Sequence, residues 1–366
     1  MIRIVSLVVA FGMASGAALA QDATPHATQP SSVSLIGEVR LPTQLSIAGV
    51  PFGGISGLNY NPEEGLFYAI SDDRAEYGPA RFYKLRIDIT PAGITQLDIV
   101  DTVPLTDSNG RAFARGDVDP EGISLDPRRP GVLVWANEGD LAGTPAVIEA
   151  GMDGRERRRF ELPAYYTPDA EKQTGIRNNA AFEGLSHAPG GGRLFAAMEG
   201  SLLQDGPPAS TRDGSLTRIL AFNPQTAKPV AEYAYRTTPV PRASKSLRPA
   251  DNGVSAILAL DDDRLLVVER SYASGYGNTI QVFEATTAGA TDVLGRPAIA
   301  GTTFEPVTKK HLFTLEEGTF GLDMDNIESI TFGPEINGRK TLVLASDNNF
   351  NPRGQITQFI VLAYDP

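Results

Sequence analysis

The chain has 366 residues, with 32 Lys and Arg against 44 Asp and Glu, a formal charge of −12 and no cysteine. Such an acidic surface repels polyphosphate backbones and anionic lipid, which need clustered cations, so nucleic acid is excluded as a partner. The missing cysteine excludes disulfides, lipid-modified cysteine and every thiol mechanism.

Residues 1–20, MIRIVSLVVAFGMASGAALA, read as a signal peptide: Arg3 precedes an apolar run that ends in Ala18, Leu19 and Ala20, a small-x-small cleavage site. Cleavage after Ala20 removes Arg3, the one charged residue of the leader, and takes the charge from −12 to −13. A membrane anchor would need about 20 apolar residues and no such site, so no stable membrane insertion is expected after cleavage. Export of a cysteine-free chain points to a bacterial periplasm or medium. Residues 21–32, QDATPHATQPSS, are polar and Pro-containing and read as a disordered lead-in. Residues 33–366 read as a single domain, because a repeat runs through them.

Its clearest copy is AFEGLSHAPGGGRLFAAMEG, residues 181–200, a hairpin of two apolar strands about a Pro-Gly-Gly-Gly turn. Glu183 opens one strand and Glu199 closes the other, and antiparallel pairing puts both at one end. Ser56, Glu121, Glu183, Ser255 and Glu328 anchor five such copies, with steps of 65, 62, 72 and 73 residues. The second strands, such as LFYAISDDR and VLVWANEGD, carry acids towards their ends: Asp72 and Asp73, Glu138, Glu199, Glu269 and Asp347.

Further strand-like runs lie between the hairpins, among them ARFYKLRID and SLTRILAFN, making four strands per repeat. Helical periodicity is absent after the leader. Tandem four-stranded units with Gly, Pro and Asp turns read as an all-β, single β-propeller. The repeat count gives five blades, with six if one has diverged. SLIGEVRLP near the N-terminus has no repeat of its own, while the last repeat ends at its third strand. The N-terminal strand is therefore expected to complete the final blade and close the ring.

Three long insertions connect blade segments: Pro163 to Asn179, Leu202 to Gly214, and Arg236 to Gly253. The last carries Arg236, Arg242, Lys245 and Arg248 before its first acid, Asp251. It reads either as a solvated Pro-rich loop or as a basic wall over an acidic strand end.

With the hairpins innermost, Glu121 with Glu138, Glu183 with Glu199, and Glu328 with Asp347 form a carboxylate funnel on one face. Close carboxylates repel, so they call for hard cations or for pairing with Arg and Asn. Oxygen-rich sets favour Ca²⁺ or Mg²⁺, and only His26, His187 and His311 offer nitrogen. Asp117, Asp119 and Glu121 have the alternating spacing of a calcium loop, but Arg128 stands where an EF-hand needs its bidentate Glu. Asp323, Asp325 and Glu328 repeat that arrangement; in both sets, acids that only cap turns are the plainer alternative. Serine-hydrolase elbows, P-loops, HExxH and dinucleotide fingerprints are missing. Ser186 and His187 are strand neighbours facing opposite sides, and His187 reads as a structural turn residue.

The segments GGISGLNYNPEEGLFYAISDDR, DPEGISLD with WANEG, AFEGLSHAPGGGRLFAAMEG, LLVVERSY and NIESITFGPEINGRKTLVLASDNNF closely resemble the bacterial phytase-like family, also described as showing esterase-like activity. The resemblance spans essentially the whole mature chain and implies kinship with β-propeller phytases, which hydrolyse phosphate monoesters at calcium-lined channels. Asp347, Asn348, Asn349 and Phe350 partly echo a motif of those enzymes.

The resulting expectation is an exported, calcium-dependent phosphoester hydrolase that takes a small anionic substrate such as a phosphomonoester. Metal ligands are expected among Asp72, Asp73, Asp119, Glu121, Glu138, Glu269, Glu328 and Asp347. Glu183 or Glu199 is the expected general base. Arg74 and Arg270, each just past a strand-end acid, either clamp phosphate or balance those acids. Lys245, Asn179 and Asn348 complete the expected substrate contacts. Two alternatives remain open: a non-catalytic propeller binding a ligand or protein at its mouth, and a carbohydrate-active propeller using paired carboxylates as acid and base.

Overall fold

The structure, a computed structural model, describes residues 5–7 and 32–365. The expected leader and lead-in lie outside the described residues except for Ser32 and Val5–Leu7, a short strand paired antiparallel with Leu97–Ile99. Among the described residues no helix is long and apolar enough to cross a membrane.

Five four-stranded antiparallel blades make a β-propeller. Blade 1 comprises Ile55–Asn61, Leu66–Ser71, Arg81–Thr90 and Gly93–Pro104. Blade 2 comprises Pro120–Leu125, Val132–Asn137, Ala146–Gly151 and Glu156–Arg159. Blade 3 comprises Phe182–His187, Leu194–Met198, Leu216–Asn223 and Lys228–Arg236. Blade 4 comprises Asp251–Ala259, Arg264–Ala273, Gly277–Thr286 and Thr308–Glu316. Blade 5 takes Ile327–Phe332, Lys340–Ser346 and Thr357–Tyr364 from the C-terminal end of the chain, and its outer strand, Val33–Leu41, from the N-terminal end. Val33 pairs with Tyr364 and Leu41 with Thr357, so the ring closes as the unmatched N-terminal strand requires.

Second strands such as VLVWAN are apolar without alternation because each blade is buried on both faces. Period-2 geometry sends Leu133 and Trp135 into the cluster shared with blade 1, and Val134 and Ala136 into the one shared with blade 3. Leu342 and Leu344 face blade 4 while Val343 and Ala345 face blade 1. The molecule thus has an apolar core at each blade-to-blade interface rather than one central core.

Around the axis the inner strands meet closely. A Cβ on Gly57 would lie 2.6 Å from the Glu121 carbonyl oxygen, and one on Gly122 would lie 2.8 Å from that of Glu183, so the repeat's glycine lets neighbouring backbones touch. Three residues after each anchor, a side chain clasps the next blade. Asn59 accepts from the Leu125 amide at 3.1 Å, Ser124 from His187 at 2.9 Å, Ser186 from Ala259 at 2.9 Å, and Thr331 from Tyr60 at 3.3 Å. Between blades 4 and 5 the position is Leu258, which packs into an apolar core instead.

His187 is therefore not a turn residue. It ends the inner strand of blade 3, with Ser124 Oγ 2.9 Å from its Nδ1, and burial lowers its pKa to about 4. The sequence reading also overlooked a long connection, residues 287–307 of blade 4. It straps blade 3: the Glu232 amide donates to Asp292 Oδ1 at 3.0 Å and the Val307 amide to the Ala234 carbonyl at 2.9 Å.

Candidate functional site

Each inner strand carries a register irregularity at its anchor. Phe182 pairs with Met198 and Gly184 with Ala197, leaving Glu183 unmatched; Ser56, Ser255 and Glu328 are skipped likewise, and Glu121 lies within the irregularity of blade 2. A bulge at the rim of a sheet re-aims the extra side chain. Here it gathers acids from three blades, and carboxylate oxygens of Glu121, Glu183 and Glu328 lie within 4.8 Å of one another.

A second tier follows the second strands. Asp72, Glu138, Glu199 and Asp347 each come one residue after the strand, and their amides donate to the carbonyls of Gly54, Asp119, Ala181 and Asn326 at 2.7–2.9 Å. In blade 4 the residue at this position is Arg270, because Val254 pairs with Glu269 as Phe182 pairs with Met198. Two further carboxylate triads link the tiers, Asp119 with Glu121 and Glu138, and Glu138 with Glu183 and Glu199, each within 4.8 Å. Any two of the three triads share one acid: Glu121, Glu138 or Glu183.

Desolvation by burial, reinforced by neighbouring carboxylates, raises Glu121, Glu138, Glu183 and Asp347 well above the ordinary carboxyl range. Asp72 rises to about 8 by burial and the charges of Glu328, Asp119 and Asp73. Glu199 rises to about 7, with burial the main cause and Arg270 opposing it. Asp119 and Glu328 are also raised by burial, against Arg74 and Arg270 respectively.

Compensation within the protein is partial. Arg74 Nη2 lies 2.5 Å from Asp119 and 3.8 Å from Glu138, and Arg270 Nη2 lies 3.0 Å from Glu199 and 3.7 Å from Glu328. Asn326 Nδ2 donates to Glu328 at 2.9 Å and to Asp347 at 3.4 Å, Ser56 Oγ to Glu328 at 3.3 Å, and the Ala181 amide to Glu138 at 2.9 Å. Asp72 Oδ1, Asp119 Oδ1 and Glu183 Oε2 are buried with no hydrogen-bond partner. Partnerless carboxyl oxygens in an all-oxygen set fit a hard divalent cation, which would take the place of the protons that burial favours.

The sequence-predicted residues divide accordingly. Asp72, Asp119, Glu121, Glu138, Glu183, Glu199, Glu328 and Asp347 are drawn together, with Arg74 and Arg270 among them. Asp73 is not: it accepts from the amides of Glu76, Tyr77 and Gly78 at 2.7–3.1 Å and from Arg81 Nη1 at 2.6 Å, so it holds a turn. Glu269 points the other way along its strand, where Tyr235 Oη, the Thr238 amide and Thr238 Oγ1 donate to it at 2.7 Å and Lys309 pairs with it. Asn348 is spent on the backbone, its Oδ1 accepting from Gly54 at 3.0 Å and Phe350 at 3.1 Å, while its neighbour Asn349 lines the cavity. Lys245 lies outside the cavity, its Nζ 4.0 Å from the Tyr276 ring centre, whereas Arg248 lines it. Asn179 is in place, accepting from Arg74 at 2.7 Å. Asp117 and Asp325 accept from the Ala114 and Ile356 amides and cap turns.

Above the acids opens a cavity of about 1220 Å³, walled by parts of all three predicted insertions, and beside it a smaller one of about 350 Å³. Arg177, Asn252, Asn326 and Tyr272 line the larger cavity and were missed. Asn326 had a signal, since it immediately precedes the fifth repeat; Arg177 sits inside an insertion with no periodicity to mark it.

Fold and site together define a five-bladed propeller whose blade ends carry buried carboxylate clusters of a kind that can hold a metal ion. The chain belongs to the phytase-like family: the family model described as esterase-like activity of phytase matches residues 50–350. That membership and the propeller fold support a phytase-like hydrolase kind. No curated protein matches. Among solved structures the chain is similar to that of the Dos1 propeller, at 10% identity, 86% coverage of this chain, 68% of that chain and a TM-score of 0.34.

Proposed function

We propose that this protein is an exported, calcium-dependent hydrolase of small anionic esters, phosphomonoesters foremost, acting where the channel meets the large cavity. The observation that carries the reading is the chain of three carboxylate triads sharing Glu121, Glu138 and Glu183, with three buried oxygens left without a partner. Asp119, Glu121, Glu138, Glu183, Glu328, Asp72 and Asp347 supply a surplus of hard oxygen donors, which suits Ca²⁺ with its six to eight oxygen ligands. Calcium, when bound, neutralises the acids and polarises the phosphoryl group.

The protein's own groups do the rest. Glu183 accepts no hydrogen bond among the described residues, so one of its oxygens can meet the ion while the other is suited to take a proton from an attacking water. Glu199 is oriented by Arg270 at 3.0 Å and is suited to return a proton to the leaving alcohol oxygen. The insertions wall off a cavity large enough for an ester rather than a bare ion. Export rests on the leader of residues 1–20.

Carbohydrate hydrolysis is disfavoured because the acids are clustered rather than set as one isolated pair astride a groove. The test is turnover of phosphomonoester and carboxylester panels by purified protein, with calcium and with chelator. Phosphomonoester turnover lost on chelation and restored by calcium supports the reading; chelator-insensitive turnover, or none with calcium, refutes it.

A further inference from the structure

Of the arginines around the cavities, Arg74 and Arg270 already face carboxylates, at 2.5 and 3.0 Å. Arg177 does not. Among the described residues it forms no ion pair, and burial alone lowers its pKa. It nevertheless lines both cavities.

Nor is it loose. Arg177 Nη2 donates to the Gly206 carbonyl at 2.5 Å and Nε to Ser201 Oγ at 3.4 Å, while Ser201 Oγ itself donates to Gly206 at 2.9 Å. A guanidinium has five N–H donors in a fixed fork. Two are used, which leaves three with no partner among the described residues. An uncompensated, half-buried charge with spare donors is poised for an oxyanion. Arg248 lines the large cavity from the third insertion, its guanidinium 4.9 Å from the Tyr272 ring centre and in no ion pair among the described residues.

We propose that Arg177, assisted by Arg248, binds the tetrahedral oxyanion of the substrate and sets the preference for phosphoesters over neutral esters, while Arg74 and Arg270 serve to hold carboxylates. This rests on the hydrolase reading above. It assigns the anion contact to a residue of the first insertion rather than to the repeat.

The test titrates inorganic phosphate into the full-length protein, calcium-loaded and chelated, for wild type, Arg177→Gln, Arg177→Lys, Arg248→Gln and Arg86→Gln. Arg86 is an exposed arginine of blade 1 and controls for net charge. Arg177→Gln is expected to weaken phosphate binding about tenfold or more, with Arg177→Lys between it and wild type because an ammonium keeps the charge without the fork. Its KM for a phosphomonoester should rise with little change in kcat, its KM for a neutral carboxylester should stay, and it should remain folded, with the lost Gly206 bond lowering Tm by a few degrees at most. Phosphate affinity in Arg177→Gln within about twofold of wild type, an equal loss in Arg86→Gln, or no phosphate binding by wild type overturns the proposal. Phosphate binding through Arg177 with no calcium-dependent turnover refutes the hydrolase reading and leaves this assignment standing.

Discussion

Arg270 of blade 4 occupies the strand position that Glu199 occupies in blade 3, and the two side chains meet at 3.0 Å. One blade of five thus contributes a cation to a tier of acids. Burial works against the charge of Arg270, yet Glu328, Glu199 and Asp251 hold it firmly protonated. Arg270→Gln strands Glu199 and Glu328, and removing the charged donor of such a part-buried carboxylate costs about 1.5–3 kcal/mol. The calcium-free variant should therefore melt well below wild type, with calcium recovering part of the loss; equal melting in chelator would count against this role.

Glu269, one residue earlier, should behave in the opposite way. It is fully buried on four donors and Lys309. Glu269→Ala should cost several kcal/mol through unpaired buried polar groups, about 1–3 kcal/mol for each group left unsatisfied. Calcium affinity of the folded fraction should be unaltered, as calorimetric titration would report.

Calcium binding to the native state alone stabilises it, by about 2.7 kcal/mol at a hundredfold excess over Kd. Melting curves in millimolar calcium should lie several degrees above those in chelator for wild type. In Glu121→Gln, which loses an acid common to two triads, the gap should shrink sharply. An unchanged gap would remove Glu121 from the site.

Metal-free stability should fall as pH rises. Asp72 and Glu199, lifted to about 8 and about 7, bind protons more tightly folded than unfolded. Acids of raised pKa contribute stability that is complete below their unfolded values, near pH 4, and is lost as pH climbs through the folded ones. The chelated Tm should therefore decline between about pH 4 and 8. Calcium should flatten that decline, since the ion replaces the protons.

Gly122→Ala tests the ring contact. Its Cβ would lie 2.6 Å from Leu185 Cβ and 2.8 Å from the Glu183 carbonyl oxygen, a clash with backbone that no rotamer relieves. A loss of about 1–3 kcal/mol is expected, with calcium affinity falling too because Glu183 moves. Wild-type stability and affinity would show that the strands have room to part.

The repeat made the five blades and the closing strand legible, because each blade announces itself twice, once per hairpin strand. It also placed Glu121, Glu138, Glu183, Glu199, Glu328 and Asp347 at one end of their blades, which antiparallel pairing requires, although the bulges aim the inner-strand acids at one another. What it could not convey was register past the bulges. One unmatched residue per inner strand decides whether Glu269 or Arg270 faces the channel, and a shift of one reverses every side chain. The Asp72 and Asp73 pair, and Asn348 beside Asn349, divide in the same way. Arg177 lay beyond reach for a different reason, since insertions obey no period.

The outer strand of blade 5 imposes an order of events. Val33–Leu41 leaves the ribosome before any blade, yet its partner Thr357–Tyr364 is synthesised after all the others. Until then the nascent molecule is an open arc whose first strand waits unpaired. Joining such distant segments makes closure a late and slow step. The exposed edge of Thr357–Tyr364 in an unclosed arc is a template for pairing with another chain, so a second molecule's Val33–Leu41 competes for the same place. Crowded synthesis should accordingly yield strand-exchanged dimers, whose inner rings are each complete and whose outermost strands have changed owners.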